Sequence, residues 1–463
     1  MGLFSDVLER VRNEHAVDPI FTIGPTFNDM LLSISKAMDL LEGKPVRSGM
    51  KVAVLAGSIA RIMNLSQREC GAIVYAALVH DIGLAYLVSD IYPHLPPGIS
   101  EKTIFQNHAL LNARVIGSPH DRPLSDELHR HLERHPALSA AFVSRIGLST
   151  DVSDLVAAHQ ELYDGSGYPN GLSKEQIPLG ARILSFADVL EGVIDNFAKE
   201  MSGLTSRKLA IESFLEIKAP GRFDPDVIEV FKTLLNDYDD FLKQLSSLEV
   251  ESMVRQLMPE RSTPMDGRSL HRIVSEMGNL ADELMPEFKR GRAPKVANMA
   301  VRLAESIGIG NDQCGELVLA ALLMDIGHLA TPAHILFKTH PLNSEERATM
   351  QDHPRLTHDV LKNIPGFENI GLWASEHHER INGKGYPHQR KGYEISVGGR
   401  ILALADVFNA LTSQRPYRTH AHAPMDAIPV IGQGRMTLYD NALVTQLRVV
   451  VLKSDIVGLL PAY

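Results

Sequence analysis

Four pairs of residues carry the chemistry legible in this sequence: Asp81 and Asp325, His135 and His353, His159 and His377, Asp188 and Asp406. Each pair occupies matching columns of a long internal repeat. The first aspartate of each copy lies in an apolar run, Ala76-Ala77-Leu78-Val79-His80-Asp81-Ile82-Gly83 and Ala320-Ala321-Leu322-Leu323-Met324-Asp325-Ile326-Gly327. A carboxylate buried there is costly unless it has a partner. A salt bridge or a helix cap would satisfy it. Two imidazoles and a second carboxylate kept in both copies point instead to a mixed nitrogen and oxygen metal site, suited to Fe, Mn, Zn or another first-row divalent ion without deciding among them. His129 and His131 also lie near His135, but the second copy has Arg347 and Thr349 in their columns, so a polar helix face accounts for them.

The elements that must hold these side chains are repeated too. Cys70-Gly71 and the Asp81 run recur 244 residues later, at Cys314-Gly315 and Asp325. His159 to Pro169 recurs as His377 to Pro387 at an offset of 218, as does Ala181-Arg182-Ile183 as Gly399-Arg400-Ile401. The first copy therefore carries an insertion near 85–121, and Ile91 to Gly98 within it reads as a loop, either a lid or a surface excursion. A period this long marks a duplicated domain, since solenoid units are only ~20–50 residues. Apolar residues recur at helical spacing, as in Val52-Ala53-Leu55-Ala56-Ile59-Ala60 and Val296-Ala297-Met299-Ala300-Leu303-Ala304. Ser173 to Gln176 and Asn343 to Glu346 have capping-box spacing. The expected fold is all-α, two tandem helical bundles. Residues 1–245 form the first domain and 246–463 the second, with connecting helices at its start and a linker candidate at Pro259 to Arg268.

Composition narrows the function. The net charge of −10 argues against long nucleic acid, which needs a basic footprint, but permits a small phosphorylated ligand met by a metal and a few arginines. No apolar run looks long enough to cross a bilayer, and the N-terminal residues lack the basic and apolar regions of a secretion signal. Two cysteines in equivalent columns suit reduced core thiols. A cytoplasmic protein is expected.

These motifs resemble the HD-GYP family of the HD superfamily of metal-dependent phosphohydrolases. The resemblance rests on His80-Asp81-Ile82-Gly83, on Gly167-Tyr168-Pro169 and Gly385-Tyr386-Pro387, and on Ala405-Asp406-Val407-Phe408-Asn409-Ala410 leading to Arg415-Pro416-Tyr417-Arg418. It spans nearly the whole chain, twice. The resemblance implies HD-type helical bundles and a phosphodiesterase acting on a cyclic dinucleotide such as cyclic di-GMP. A bound metal would lower the pKa of a water and neutralise charge on the phosphoryl oxygens. Asp81 and Asp325 would be the catalytic bridging carboxylates. The metal ligands would be His80, Asp81, His135, His159 and Asp188 in the first copy, and Asp325, His353, His377, His378 and Asp406 in the second. Arg415, Arg418, Gly385, Tyr386 and Pro387 would contact substrate.

Departures from the family pattern differ between the copies. Ser48 and Arg292 stand at the position of an early histidine, Met324 replaces the histidine of the second His-Asp pair, and Gln160 replaces the second histidine of the first copy's pair. Leu84 and His328 stand where a lysine is expected, and Phe197 and Glu200 stand where the second copy has Arg415 and Arg418. One metal per site, rather than two, follows. Arg292 is expected among the ligand-binding residues, or as a guanidinium near Asp325 and Asp406 that replaces a metal's charge. A surface arginine on the first turn of a helix is the plainer alternative. The second copy reads as the better ligand-binding site and the first as the keeper of the His-Asp pair. Impaired hydrolysis, an inactive cyclic dinucleotide receptor and an interaction scaffold in bacterial signalling, docking partners through the Gly-Tyr-Pro loops, remain open, as does the oligomeric state.

Overall fold

The structure, a computed structural model, describes residues 24–44, 47–115, 125–200, 204–235, 245, 249–261, 263–284, 291–414, 421–433 and 437–457, without the side chains of 196–200, 204–207 and 454–457. Among these the regular elements are α-helices, short 3-10 turns and one π segment, with no strand. The all-α expectation holds. Contacts divide the chain into two units, Thr26–Thr263 with Pro332–His334, and Met1–Pro25 with Pro264–Thr331 and Ile335–Tyr463. They are called here the N-terminal and C-terminal domains.

In the N-terminal domain the helices that matter are α1 (Phe27–Glu42), α2 (Ser48–Ile62), α3 (Gln67–Val79), α4 (Glu101–Asn112), α5 (His135–Ile146), α6 (Thr150–Ala157) and α7 (Leu179–Glu200). Capping boxes at Thr26 with Asp29 and at Ser66 with Glu69 start α1 and α3, each satisfying helix N–H groups that would otherwise lack partners. The stripe Val52, Leu55, Ile59 on α2 is fully buried, and α2 packs on both α3 and α7. Each such side chain contributes roughly 1.5–3 kcal/mol by leaving water.

The C-terminal domain repeats this arrangement with α8 (Arg292–Ser306), α9 (Asn311–Leu323), α10 (His353–Leu361), α11 (Glu368–Glu376) and α12 (Val397–Thr412). Helix α8 packs on α9 and α12 as α2 packs on α3 and α7. The capping boxes at Ser173 with Gln176 and Asn343 with Glu346 both form.

Two sequence expectations change here. The helical stretches Gln67–His94 and Asn311–Ala330 are long and apolar enough to span a membrane, contrary to the reading that no run is. Most of each window is buried inside its domain, so these stretches supply core. The insertion is not mainly a loop. Val88–Ile91 is helical, Tyr92–His94 forms a 3-10 turn, and α4 follows six residues later. Apolar Ile91, Ile104 and Phe105 are buried, which explains why the segment folds inward.

Candidate metal centres

Asp81 sits where α3 gives way to the 3-10 turn Ile82–Leu87, with φ −97° and ψ 5°. Asp325 occupies the same break before Ile326–Ala330, with φ −100° and ψ 1°. Glycine makes the next contact possible. A Cβ on Gly83 would lie 2.2 Å from the His135 carbonyl oxygen, and one on Gly327 2.0 Å from that of His353. Gly83 N–H donates to Ser139 Oγ at 2.8 Å, and Gly327 N–H to Thr357 Oγ1 at 3.1 Å. The turn is thereby seated on the start of α5 or α10, and the aspartate meets the histidine that opens that helix.

In the N-terminal domain, Asp81 is shared between two groups of donors. Its Oδ1 lies 3.2 Å from His108 Nε2, 3.4 Å from His135 Nε2 and 3.3 Å from His159 Nε2. Its Oδ2 lies 3.2 Å from His80 Nε2, which is 3.5 Å from Asp188 Oδ1. None of these six residues is more than 4% exposed. Each imidazole is aimed by its other nitrogen. Nδ1–H donates to the carbonyl three residues earlier, Ala77 for His80, Phe105 for His108, Leu132 for His135 and Val156 for His159, at 2.6–2.9 Å. A carbonyl only accepts, so the neutral tautomer leaves each Nε2 with a lone pair facing the centre.

That arrangement calls for a cation. His135 Nε2 and His159 Nε2 are 3.1 Å apart, and because each ring turns its Nδ1 to a backbone carbonyl, two neutral rings would bring two lone pairs together. Burial pushes His135 down to about 4, Asp81 offsetting it only partly, so it does not protonate to relieve the clash at neutral pH. Burial would also lower His80, but Asp81 and Asp188 outweigh it and hold His80 well above its ordinary value. Asp81, which burial would raise, is held well below the usual carboxylate range by His108 and His80. Buried atoms His80 Nε2, His108 Nε2, Asp81 Oδ2 and Asp188 Oδ2 make no hydrogen bond of good geometry. Imidazole and carboxylate donors converging this way fit first-row divalent metals.

The C-terminal domain builds half of this. His353 Nδ1 and His377 Nδ1 donate to Met350 and Ala374 carbonyls, and their Nε2 atoms lie 3.3 Å apart. Asp325 Oδ1 is 3.6 Å from His353 Nε2, 3.9 Å from His377 Nε2 and 3.6 Å from His328 Nε2. His378 packs its ring 4.0 Å from that of His377 and 5.1 Å from that of His353. Burial lowers both His377 and His378, the latter strongly, so both offer lone pairs. The other half is different. Met324 stands in the column of His80, and Arg292 Nη1 and Nη2 donate to Asp325 Oδ2 and Asp406 Oδ1. Burial disfavours that guanidinium, but the two aspartates more than restore its charge.

The Gly-Tyr-Pro loops flank both centres. A Cβ on Gly167 would meet Leu162 N at 2.3 Å, and one on Gly385 would meet Arg380 N at 2.3 Å, so the loop folds back tightly only with glycine there. Both Tyr-Pro bonds are cis. The carboxylate of Glu161 accepts from Asn170 and Leu172 N–H at 2.7 and 2.9 Å, and that of Glu379 from His388 and Arg390 N–H at 2.7 and 3.0 Å. The Tyr168 ring then stands 6.0 Å from that of His135, and the Tyr386 ring 4.7 Å from that of His378.

The HD domain family matches residues 115–227 and 229–443, well over half of the chain. The chain belongs to the HD domain family. Its doubled Gly-Tyr-Pro loops make it a tandem HD-GYP member. Among curated proteins, this HD-GYP chain is 27% identical over 438 residues to 3'3'-cGAMP-specific phosphodiesterase 3 of Vibrio cholerae serotype O1, covering 89% of this chain and 92% of the relative. It is 27% identical over 393 residues to 3'3'-cGAMP-specific phosphodiesterase 1 of the same organism, covering 83% and 82%. A crystal structure of the cyclic GMP-AMP phosphodiesterase V-cGAP3 from V. cholerae shares the fold, with a TM-score of 0.65, 24% identity, and coverage of 95% of this chain and 99% of that one.

The HD-GYP structure brings His80, Asp81, His135, His159 and Asp188 together in one domain, and Asp325, His353 and His377 in the other, with His378 beside them and Asp406 on Arg292. Arg292 is not the surface residue of the plainer reading: it is buried, with both terminal nitrogens on aspartates. Gly385, Tyr386 and Pro387 line the loop beside His378. Arg415 and Arg418 lie outside the described residues, as do the side chains of Phe197 and Glu200. Sequence reasoning missed His108, which has no partner in the second copy, and His328, seen only as a departure from lysine. The Glu161/Glu379 column was visible in the repeat, but its role as a loop clamp was not.

Proposed function

We propose that this chain is a metal-dependent cyclic dinucleotide phosphodiesterase whose hydrolytic centre lies in the N-terminal domain. The observation that carries this reading is the position of Asp81 between two donor groups, whereas Asp325 has one of its oxygens held by Arg292. His80, Asp81 and Asp188 would hold one divalent cation, and Asp81, His135 and His159 another. The sequence led us to expect one metal at this site, and the reading offered here is two. Bound there, the metals would supply an activated water and neutralise charge on a phosphodiester. The chain's own residues do the rest: backbone carbonyls fix each imidazole, Gly83 seats Asp81 against α5, and Glu161 holds the Tyr168 loop over the centre. The names of the relatives matched along most of the chain support a 3'3'-linked cyclic dinucleotide as substrate.

A second reading has its own support. In the C-terminal domain Arg292 supplies positive charge that cannot activate water, so this domain fits a ligand-binding or structural role. Turnover of 3'3'-cGAMP and of cyclic di-GMP by wild type, Asp81→Ala and Asp325→Ala separates the readings. Loss of turnover in Asp81→Ala alone supports the N-terminal centre. Loss in Asp325→Ala alone moves catalysis to the C-terminal domain. Nucleotide binding without turnover in the metal-loaded wild type leaves a receptor.

A further inference from the structure

We propose that His108 is a metal ligand recruited from outside the repeat, standing in for the imidazole that position 160 no longer supplies. This rests on the reading of the N-terminal domain as a metal centre. Helix α4 lies wholly within the insertion, so the C-terminal domain has no equivalent of it. In the C-terminal domain two adjacent histidines, His377 and His378, end the α11 segment. In the N-terminal domain the second of that pair is Gln160.

The geometry points to replacement. His108 meets His135 edge-on, with ring centroids 5.0 Å apart and planes at 89°. His378 meets His353, the counterpart of His135, at 5.1 Å and 85°. One turn beyond His108, Asn112 donates to the Gln160 side-chain oxygen at 2.8 Å and to its backbone oxygen at 2.9 Å. One face of α4 thus delivers an imidazole to the centre and ties back the side chain that occupies the old position. Gln160 Oε1 is committed to Asn112.

A buried core histidine would account for His108 if the ring were charged and paired with Asp81 alone, but that same Asp81 oxygen also faces His135 and His159. Its Nδ1 is satisfied by the Phe105 carbonyl at 2.8 Å. Its Nε2 is buried, makes no hydrogen bond of good geometry, and lies 3.2 Å from the Asp81 oxygen that also faces His135 and His159. Three imidazoles and one carboxylate oxygen then complete a four-donor set, a composition suited to a first-row divalent ion. The family's doublet of histidines is not needed for that set once α4 is present.

The test is Co²⁺ titration of the metal-free full chain, read by visible d–d absorption and by metal content. It compares wild type, Asp81→Ala, His108→Ala, His108→Gln, Gln160→His and the double variant His108→Ala/Gln160→His. Far-UV circular dichroism checks that each variant folds. Loss of an outer-shell partner costs ~10–100-fold in affinity, so loss of a direct ligand should weaken one Asp81-dependent site by more than ~100-fold. The double variant should recover most of it and restore the absorption. Wild-type affinity in both His108 variants would make His108 an ordinary core residue and overturn the proposal. Weakened binding that Gln160→His does not rescue would overturn the replacement. A wild type with no Asp81-dependent Co²⁺ uptake would instead remove the metal centre itself, and the proposal with it.

Discussion

Arg292 lays Nη1 against Asp325 Oδ2, the oxygen whose counterpart on Asp81 faces His80. A permanent cation of the protein thus stands in one domain where an imidazole stands in the other. Removing one partner of a buried ion pair costs about 3–5 kcal/mol, because the remaining charges lose their compensation. Arg292→Ser, which copies Ser48 of the other domain, should lower the C-terminal domain's stability by that order in chelator. Added Mn²⁺ or Zn²⁺ should restore part of it. Calorimetric scans with and without metal check this, and no change in chelator would contradict it.

Metal removal should act mainly on the N-terminal domain. Its only ion-pair partners for Asp81 and Asp188, among the described residues, are histidines. A ligand at a thousand times its dissociation constant stabilises by about 4 kcal/mol. Chelation should therefore lower the melting temperature of the wild type, and should have little effect on that domain in Asp81→Ala. Equal responses in the two proteins would argue that the metal binds elsewhere.

Gly83→Ala touches no donor atom yet should impair metal binding. Its Cβ would fall 2.2 Å from the His135 carbonyl oxygen, so the turn or the start of α5 must move. Overpacking of this kind costs about 1–3 kcal/mol. The expected result is a folded protein with reduced stability and weaker metal uptake than wild type. Uptake at wild-type affinity would show that the Asp81–His135 register tolerates the shift.

Glu161→Gln keeps the shape of the clamp and removes its charge. Hydrogen bonds to charged groups contribute about 1.5–3 kcal/mol each, and Glu161 accepts two from the loop backbone. Amide exchange at Asn170 and Leu172 should quicken in Glu161→Gln, and at His388 and Arg390 in Glu379→Gln. Unchanged protection would place the loop's restraint elsewhere.

Much of this was legible in the sequence because the duplication compares equivalent columns. Asp81, His135, His159 and Asp188 are kept for one physical reason, a shared centre, and so survive together with their partners in the second copy. Arg292 was visible as a charged replacement in a column expected to hold histidine. His108 was not, because compensation from an inserted helix leaves no trace in the matching column. The apolar positions that fold α4 inward, Ile104 and Phe105, put His108 on the same buried face, but that spacing does not say what His108 meets. His328 was noticed only as a missing lysine, since stacking on His353 at 3.8 Å depends on a three-dimensional turn rather than on a motif.

The Glu161 and Glu379 clamps let each Gly-Tyr-Pro loop keep its shape without help from the centre beneath it. A carboxylate and backbone amides of its own segment hold it, and Tyr163 N–H and Asn382 N–H add ties to the Arg222 and Thr437 carbonyls. Selection on catalysis can therefore lapse in one copy while the fold continues to preserve the signature by which such enzymes are counted. A census of Gly-Tyr-Pro loops is a census of a scaffold, and the number of working active sites has to be taken from the ligands below.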